Sequence, residues 1–360
     1  MNINKIYYFL FATLFLFLSN CENKKTTLLS YFDNKPEIQL QSITLVTEDK
    51  TDNPDQLLCY DTLLLLKNGR SQTQFTLVNI KNGNVIKDFG KVGNGPGEFV
   101  GNLQIDHSFR PGFINTPDNF QARMYQYCMD SILYSENVQS RDLFSLVVNE
   151  KAKNIYVRIL QINDSIFVGM PINAIERFLV FNINNNESYQ QGEFPQDKNH
   201  QKLDNEKMLP DVYQGSLRYN YSKNKMIFAS SNSEMIEIYK LNNLNLNLEK
   251  SYYTSLPTYT PKETSAGARY LEWHINGGHT LDLACSDQLI YLLFSNRGQD
   301  FSLSEMFRSN LILVFDWDGK PVKKFLLDCE VKAIEISPDE KRIYAIRDNP
   351  DPEVIYFDIK

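Results

Sequence analysis

The sequence predicts an all-β fold built from one repeated antiparallel unit, and three observations support this prediction. Aromatic residues make up 12% of the 360 residues, including 20 Tyr and 23 Phe, and such residues favour strands. Short apolar runs recur along the chain with Pro between them, and no long amphipathic helical pattern competes with them. A motif of apolar, polar and apolar residues also returns at similar intervals. Together these features indicate several similar sheets formed by strands that are neighbours in sequence.

The repeated motif predicts the number of sheets. Its six copies occupy positions 78–80, 125–127, 181–183, 239–241, 315–317 and 357–359. Successive copies are separated by 47, 56, 58, 76 and 42 residues, mostly close to the roughly 40–50 residues of one four-stranded propeller blade. We therefore predict a six-bladed β-propeller. The 76-residue interval, roughly Tyr252 to Asn310, should hold the strands of one blade plus an excess loop, because it contains no seventh copy.

The last copy of the motif predicts how the ring closes. The sequence stops at Lys360 directly after this motif, so the sixth blade needs an outer strand from elsewhere. The alternating segment Glu37 to Val46 has no other obvious partner, and an unpaired edge would invite aggregation. We expect it to pair antiparallel with the strand Glu353 to Ile359. Deleting residues 22–46 should then open the ring, whereas deleting residues 22–30 should have little effect.

The N-terminus predicts a processing signal. Lys5 precedes a 13-residue apolar stretch, Ile6 to Leu18, whose length fits the core of a secretory signal better than a membrane-spanning helix. The sequence Leu-Ser-Asn-Cys that ends at Cys21 resembles a lipobox. We predict a signal peptide over residues 1–20, lipidation at Cys21, a tether over 21–36 and a propeller domain over 37–360. A plain secretory signal followed by a chance cysteine is the alternative.

Charge and cysteine content limit the class of protein. The net charge of −7 and the pI near 5.3 argue against nucleic acid as a partner. The other cysteines have no CxxC spacing and lie in or beside apolar runs, which favours buried thiols and leaves a disulfide possible. These cysteines are Cys59, Cys128, Cys285 and Cys329.

A family resemblance rests on three stretches. The sequence Phe-Gly-Lys-Val-Gly-Asn-Gly-Pro-Gly-Glu-Phe over residues 89–99 resembles an inter-blade loop of the TolB-like six-bladed propeller lipoproteins of Bacteroidetes, and more distantly that of NHL-repeat propellers. Residues 312–323 and 342–346 are similar to the same family. The resemblance implies a propeller on a lipid anchor in the bacterial cell envelope, facing either the periplasm or the exterior. It carries over no catalytic residue, since the family is mostly without assigned activity.

The glycine-rich loop before Phe99 is the first candidate site. Its glycines look like a phosphate-binding loop, but the following helix and the terminal Lys and Ser/Thr of such loops are missing. We therefore expect a structural role, in which Glu98 binds backbone amides and Phe99 packs between blades. A part in the mouth of a binding funnel is the alternative for Glu98.

Glu272, His274 and His279 form the densest cluster of possible metal ligands. The two histidines are five residues apart, which matches neither a strand face nor a helical i, i+4 pair. A solvated loop on a face where propellers bind ligands is the favoured interpretation. No metal and no other cofactor is expected.

The sequence predicts a binding module more readily than an enzyme. No Gly-x-Ser-x-Gly motif is present, and no catalytic residue is assigned. The expected ligand is a protein, a peptide or a glycan at one end of the central channel, and the membrane is a partner through the lipid anchor. The alternative is a propeller enzyme, a hydrolase or lyase with its site at the mouth of the central channel. In a calcium-dependent enzyme of this kind, Asp106, Asp282 and Glu335 would gather around an ion on the axis.

Overall fold

The computed structural model describes residues 26–47, 50, 52–69, 71–93, 95, 98–99, 103–118, 123–145, 156–172, 174–195 and 206–359. The predicted signal peptide and Cys21 lie outside this part of the chain. Among the residues it describes, no helix is long and apolar enough to cross a membrane.

The described chain begins with a short segment that packs against the ring. A 3-10 helix at Leu28–Phe32 is followed by strands β1 (Glu37–Leu40) and β2 (Ile43–Val46). The side chains of Leu28 and Phe32 are fully buried, in the apolar cluster between the fourth and fifth blades. Packing therefore begins within the region predicted as a tether.

Six blades follow the order of the chain, as predicted; each has four antiparallel strands, and the fifth blade gains a parallel strand at its edge. The first three blades contain β3 (Pro54–Tyr60), β4 (Leu63–Asn68), β5 (Thr73–Asn79) and β6 (Val85–Lys91); β7 (Asp106–His107), β8 (Phe113–Asp118), β9 (Arg123–Cys128) and β10 (Arg141–Ser145); and β11 (Tyr156–Gln161), β12 (Ile166–Pro171), β13 (Phe178–Asn182) and β14 (Ser188–Gln191).

The fourth blade contains β15 (Gly215–Asn220), β16 (Lys225–Ser230), β17 (Met235–Asn242) and β18 (Asn245–Tyr253), and is followed by a separate hairpin of β19 (Thr258–Glu263) and β20 (Arg269–His274). The last two blades contain β21 (His279–Cys285), β22 (Leu289–Ser295), β23 (Ser309–Asp316) and β24 (Pro321–Val331); and β25 (Ala333–Ile336), β26 (Arg342–Arg347) and β27 (Glu353–Asp358). Short helices lie at α1 (Met129–Tyr134), at α2 (Leu303–Met306) and, as a 3-10 helix, at Glu206–Asp211.

The long interval between motif copies contains one hairpin rather than an additional blade. Strands β19 and β20 pair only with each other, and β21 then opens the fifth blade. The count of six blades is confirmed in the described residues. The excess length was predicted as a loop, and it instead forms an antiparallel hairpin whose side chains are mostly exposed.

An N-terminal strand closes the ring, as predicted, but only part of the predicted segment pairs with the sixth blade. Strand β2 pairs antiparallel with β27, which completes the sixth blade. Strand β1 does not join that blade, because it pairs in parallel with β24 at the edge of the fifth. The chain changes sheets at Ser42, whose backbone N–H and hydroxyl donate to the Asp328 carboxylate at 3.1 Å. The N-terminal segment therefore joins two blades rather than one.

Apolar clusters fill all six interfaces between neighbouring blades. The cluster between the sixth and first blades contains Val46, Leu57, Tyr344 and Val354, so that interface is packed like the others. The inner strands β3, β7, β11, β15, β21 and β25 surround the axis. We call the end of the ring where these strands begin the linker face, and the end where they finish the turn face.

Candidate functional site

The central channel carries a charged side chain from each of the six inner strands. Most of these side chains are half-buried, so they keep contact with solvent inside the ring. In blade order they are Asp55, Asp106, Arg158, Arg218, Asp282 and Glu335. Since burying a charge is costly unless it is neutralised, such a ring marks the channel as a candidate functional site.

Two arginines occupy neighbouring positions on this ring. Burial and the adjacent Arg218 guanidinium lower the pKa of Arg158. Burial also acts to lower the pKa of Arg218, but the carboxylates of Asp106 and Asp282 outweigh it, and this pKa is raised. Among the described residues no carboxylate lies within 4.0 Å of either guanidinium. The positive charges of Arg158 and Arg218 are thus balanced by more distant carboxylates around the channel rather than by a direct ion pair.

The channel opens at the turn face into a cavity of about 500 Å³. The cavity is bounded by the ends of four inner strands, β3, β7, β21 and β25, and by the turns that follow three of them. Its lining residues are Cys59, Tyr60, Asp61, His107, Cys285, Ser286, Asp287, Glu335, Ile336, Ser337, Pro338 and Glu340. Four of these side chains are carboxylates and one is a histidine, so the mouth has a negative potential.

The walls of this mouth are fixed by polar contacts between turns. The Tyr221 hydroxyl lies 3.2 Å from the His107 carbonyl and 3.0 Å from the Gln161 carbonyl, which joins the turns of three blades. The Asn220 amide donates to the Asp287 carbonyl at 3.0 Å. The backbone of Asp61 and of Glu340 is left-handed, with φ of 51° and 56°. The cavity therefore has a defined shape before any ligand binds.

His107 contacts Glu335 across the axis, with Nε2 3.6 Å from Oε1. Burial acts to lower the pKa of His107, but the adjacent carboxylates of Glu335 and Asp106 outweigh it, so this pKa is raised above 6.5. The imidazolium form of His107 is thus favoured by the carboxylates beside it.

We expect Glu335→Gln to lower the pKa of His107, because the variant removes the negative charge while keeping the size of the side chain. An NMR titration of the imidazole resonances measures this pKa. Glu340→Gln, at the same mouth, is the matched control and should shift it less. A pKa of His107 that is the same in Glu335→Gln and in the parent chain would contradict the pairing.

The two thiols at the mouth are poor nucleophiles. Cys59 is buried and Cys285 is half-buried, and both are free. Burial, followed by the charges of nearby acidic groups such as Glu335, raises the pKa of the Cys59 thiol. Burial raises the pKa of the Cys285 thiol as well, against the opposing charge of Arg218. A thiol acts as a nucleophile through its thiolate, which this environment disfavours.

The acidic residues that a calcium-dependent enzyme would use do reach the axis. Asp106, Asp282 and Glu335 all lie on inner strands, as that alternative requires. However, the Asp282 carboxylate accepts a hydrogen bond from the Ile334 backbone N–H at 2.9 Å. The positively charged Arg218 guanidinium also lies near these three carboxylates. Within the described chain, no group of three or more His, Cys, Asp or Glu side chains could hold a metal ion.

Glu98 and Phe99 lie on the linker face, between the first two blades. The Glu98 carboxylate accepts a hydrogen bond from the Gly95 backbone N–H at 2.9 Å and pairs with Lys91 at 2.8 Å. Phe99 is buried, with its ring centroid 5.0 Å from that of Tyr125. Both contacts agree with the structural role expected for this loop. Asn94, Pro96 and Gly97 of the same loop lie outside the described residues.

Glu272, His274 and His279 also lie on the linker face, but the structure does not bring them together as ligands. Glu272 pairs with Lys262 at 3.6 Å, and His274 Nε2 lies 2.9 Å from the Thr260 hydroxyl, both within the exposed hairpin. His279 is buried at the start of β21, and burial lowers its pKa. These residues stabilise two separate elements.

Sequence reasoning missed the two channel arginines. Arg158 and Arg218 each lie directly between apolar or aromatic residues, in Val-Arg-Ile and Leu-Arg-Tyr. A charged residue in such a position was the available signal. Their adjacency depends on the ring, which places positions 60 residues apart in sequence on neighbouring blades.

Comparisons with known proteins agree with this architecture. The family model described as TolB-like 6-blade propeller-like matches residues 33–339. A member of the DUF4221 family from Bacteroides vulgatus has a similar structure, with 9% identity, a TM-score of 0.58, and 89% of this chain and 96% of that chain covered. The Cps50 (Swd1) β-propeller domain of Myceliophteria thermophila has 9% identity and a TM-score of 0.51, covering 89% and 100%. No curated protein shows significant similarity.

Proposed function

The chain belongs to the TolB-like six-bladed propeller family, and from this premise we propose that it is a lipid-anchored binding module of the bacterial cell envelope. Its binding site is the turn-face mouth of the channel. The ligand is a peptide or small molecule that carries an ammonium or guanidinium group. One observation carries this proposal: Asp61, Asp287, Glu335 and Glu340 surround a single cavity, and His107 is the one basic residue in its described lining.

The physical argument is one of charge complementarity. A concave site with fixed walls and a few convergent polar groups is the usual form of a ligand pocket. Carboxylates around such a pocket attract cations and form charge-assisted hydrogen bonds with N–H donors. The aromatic ring of Tyr60 adds an apolar surface for the stem of a lysine or arginine side chain.

Binding is tested by calorimetry with two matched probes, the N-acetylated and C-terminally amidated tripeptides Gly-Lys-Gly and Gly-Glu-Gly, in which the lysine ammonium is the only cationic group. We expect the lysyl peptide to bind and the glutamyl peptide not to bind. In the variant Asp287→Asn with Glu340→Gln, affinity for the lysyl peptide should fall tenfold or more, since a hydrogen bond to a charged group contributes about 1.5–3 kcal/mol. Glu263→Gln, on the opposite face, should leave it unchanged. Equal affinity for both peptides would refute the proposed ligand class.

Lipid attachment is tested separately in cells fed an alkyne-bearing fatty acid. We expect the parent chain to carry the label and to sediment with membranes, because two acyl chains anchor a protein stably whereas one does not. Cys21→Ser should lose the label and leave the membrane fraction. Cys329→Ser is the matched control and should keep both properties. A Cys21→Ser chain that stays labelled and membrane-bound would show that the anchor is elsewhere.

A further inference from the structure

An exposed apolar surface lies on the linker face beside the fourth and fifth blades. It contains five of the fifteen large hydrophobic side chains that are exposed in the described chain. These are Tyr270 at 45%, Trp273 at 38%, Phe301 at 47%, Leu303 at 70% and Phe307 at 44% exposure. We call these five residues the apolar rim. Aromatic and apolar side chains grouped in this way mark an interaction surface.

The apolar rim is formed by two neighbouring elements. Tyr270 and Trp273 belong to strand β20, where the regular register places them on opposite faces of the protruding hairpin, and Phe301 to Phe307 surround helix α2. The Gln299 amide joins them, since its nitrogen lies 3.5 Å from the Trp273 carbonyl and 3.3 Å from His274 Nδ1. The hairpin is the excess length of the chain in the fifth repeat.

The N-terminal segment begins next to this surface. The Leu28 backbone N–H donates to the Glu234 carboxylate at 2.5 Å, and a Cβ on Gly278 would lie 2.5 Å from that same carboxylate. Leu29 shares a cavity wall with Arg297, whose guanidinium lies 5.7 Å from the Phe301 ring centroid. The described chain therefore starts on the linker face, beside the apolar rim.

The length of chain before this point limits the distance to the lipid. Five peptide units separate Cys21 from Thr26, the first described residue, and they span at most about 18 Å. A propeller held this closely to acyl chains on Cys21 keeps the part of its linker face where the described chain starts, beside the fourth and fifth blades, near the bilayer. This step rests on the lipid anchor of the proposed function.

The charges near the apolar rim favour a lipid surface over a charged partner. Lys262 pairs with Glu272 at 3.6 Å, Arg269 pairs with Glu263 at 3.8 Å, and Arg297 pairs with Glu330. With these cations paired, adsorption depends on apolar burial and on the affinity of Trp and Tyr for the membrane interface. It should therefore respond weakly to salt.

We propose that the apolar rim lies in the interfacial layer of the membrane that holds the lipid anchor. The propeller then has a fixed orientation, with its linker face on the bilayer and its turn-face mouth directed away from it. The occupant of the apolar rim is the lipid surface itself.

Tryptophan fluorescence tests this proposal on the full lipidated chain. The chain has two tryptophans, Trp273 on the apolar rim and Trp317, which is 2% exposed and buried between blades. In phosphatidylcholine vesicles with brominated acyl chains, we expect emission to fall at least twofold. Trp273→Phe, which leaves only Trp317, should show no quenching. If the chain carries the fatty-acid label and binds vesicles but its Trp273 emission is not quenched, the proposal for the apolar rim is wrong although the lipid anchor is correct. If Trp273 in that chain is also protected from quenching by aqueous iodide, a protein partner covers the apolar rim instead.

A second measurement separates the apolar rim from the anchor. The Cys21→Ser chain is titrated with phosphatidylcholine vesicles, and its partition coefficient should fall at least tenfold when Phe301→Ser and Leu303→Ser are added. Tyr134→Ser, which removes an aromatic side chain that is 83% exposed on α1, is the matched control and should change it little. If the native chain carries no lipid, this titration alone tests whether the apolar rim binds membranes. The proposal is wrong if the chain does not bind vesicles, or if the two rim substitutions leave its partition coefficient unchanged.

Discussion

Removing residues 22–46 should leave the ring open and the protein unable to fold stably. This deletion removes β2 from the edge of the sixth blade and β1 from the fifth. It also removes Leu28, Phe32, Leu40 and Val46, each at most 6% exposed. At about 1.5–3 kcal/mol for each buried side chain, the loss is similar to the whole 5–15 kcal/mol that holds an ordinary protein together. The exposed edge of β27 would then promote aggregation.

Two shorter deletions identify which part of the segment matters. Deleting residues 22–27 should leave the melting temperature nearly unchanged, since Thr26 and Thr27 are exposed. The expectation from sequence, that deleting residues 22–30 has little effect, is revised here, because this deletion removes the buried Leu28 and its hydrogen bond to Glu234. It should lower the melting temperature by several degrees in differential scanning fluorimetry. Equal melting temperatures for all three chains would show that the N-terminal segment does not close the ring.

The blade count could be predicted because the third strand of each blade has one local pattern. Its apolar, polar and apolar end buries two side chains against the neighbouring blade, as Phe357 and Ile359 do in the last copy. A pattern that local packing imposes on every repeat is visible in the sequence. Closure by β2 was predictable for the same reason, since six motif copies leave one edge strand missing.

The hairpin and the N-terminal helix lacked such a pattern. Strand β19 reads Thr-Tyr-Thr-Pro-Lys-Glu, and since most of its side chains are exposed, no alternation of apolar and polar residues is imposed on it. The helix at Leu28–Phe32 is too short to show helical periodicity. Its buried position comes from contact with Phe315, more than 280 residues later in the chain.

The candidate site depended still more on long-range geometry. Asp106, Asp282 and Glu335 were recognised from their positions near inner strands, but their meaning changed when Arg218 was found among them. A set of carboxylates alone would favour a cation, whereas here two neighbouring guanidinium groups compensate part of the charge of the four carboxylates. The six blades must close into a ring before these charges face one another, so no local stretch of sequence shows which charges are neighbours.

Breaking the buried pair of Arg177 and Glu237 should cost more stability than any other single charge removal argued here. Both side chains are 1% exposed and lie between the third and fourth blades. The guanidinium also donates to the Tyr239 hydroxyl at 2.6 Å, and it lies 5.0 Å from the ring centroids of Phe178 and Phe228. Burial acts to lower the pKa of Arg177, but the charge of Glu237 outweighs it and holds the guanidinium protonated.

Glu237→Gln leaves this guanidinium buried without its counter-charge, and we expect it to lower the free energy of unfolding by about 3–5 kcal/mol. Arg177→Met should be similarly destabilising, since it leaves the carboxylate unpaired. The double variant Arg177→Met with Glu237→Leu should recover much of the loss, because two apolar side chains fill the same space with no charge to desolvate. Glu263→Gln, in an ion pair whose side chains are 64% and 58% exposed, is the matched control and should change stability by less than about 1 kcal/mol. Urea denaturation of the four variants measures these differences. A loss in Glu237→Gln no larger than that in Glu263→Gln would mean that the interface tolerates an unpaired charge.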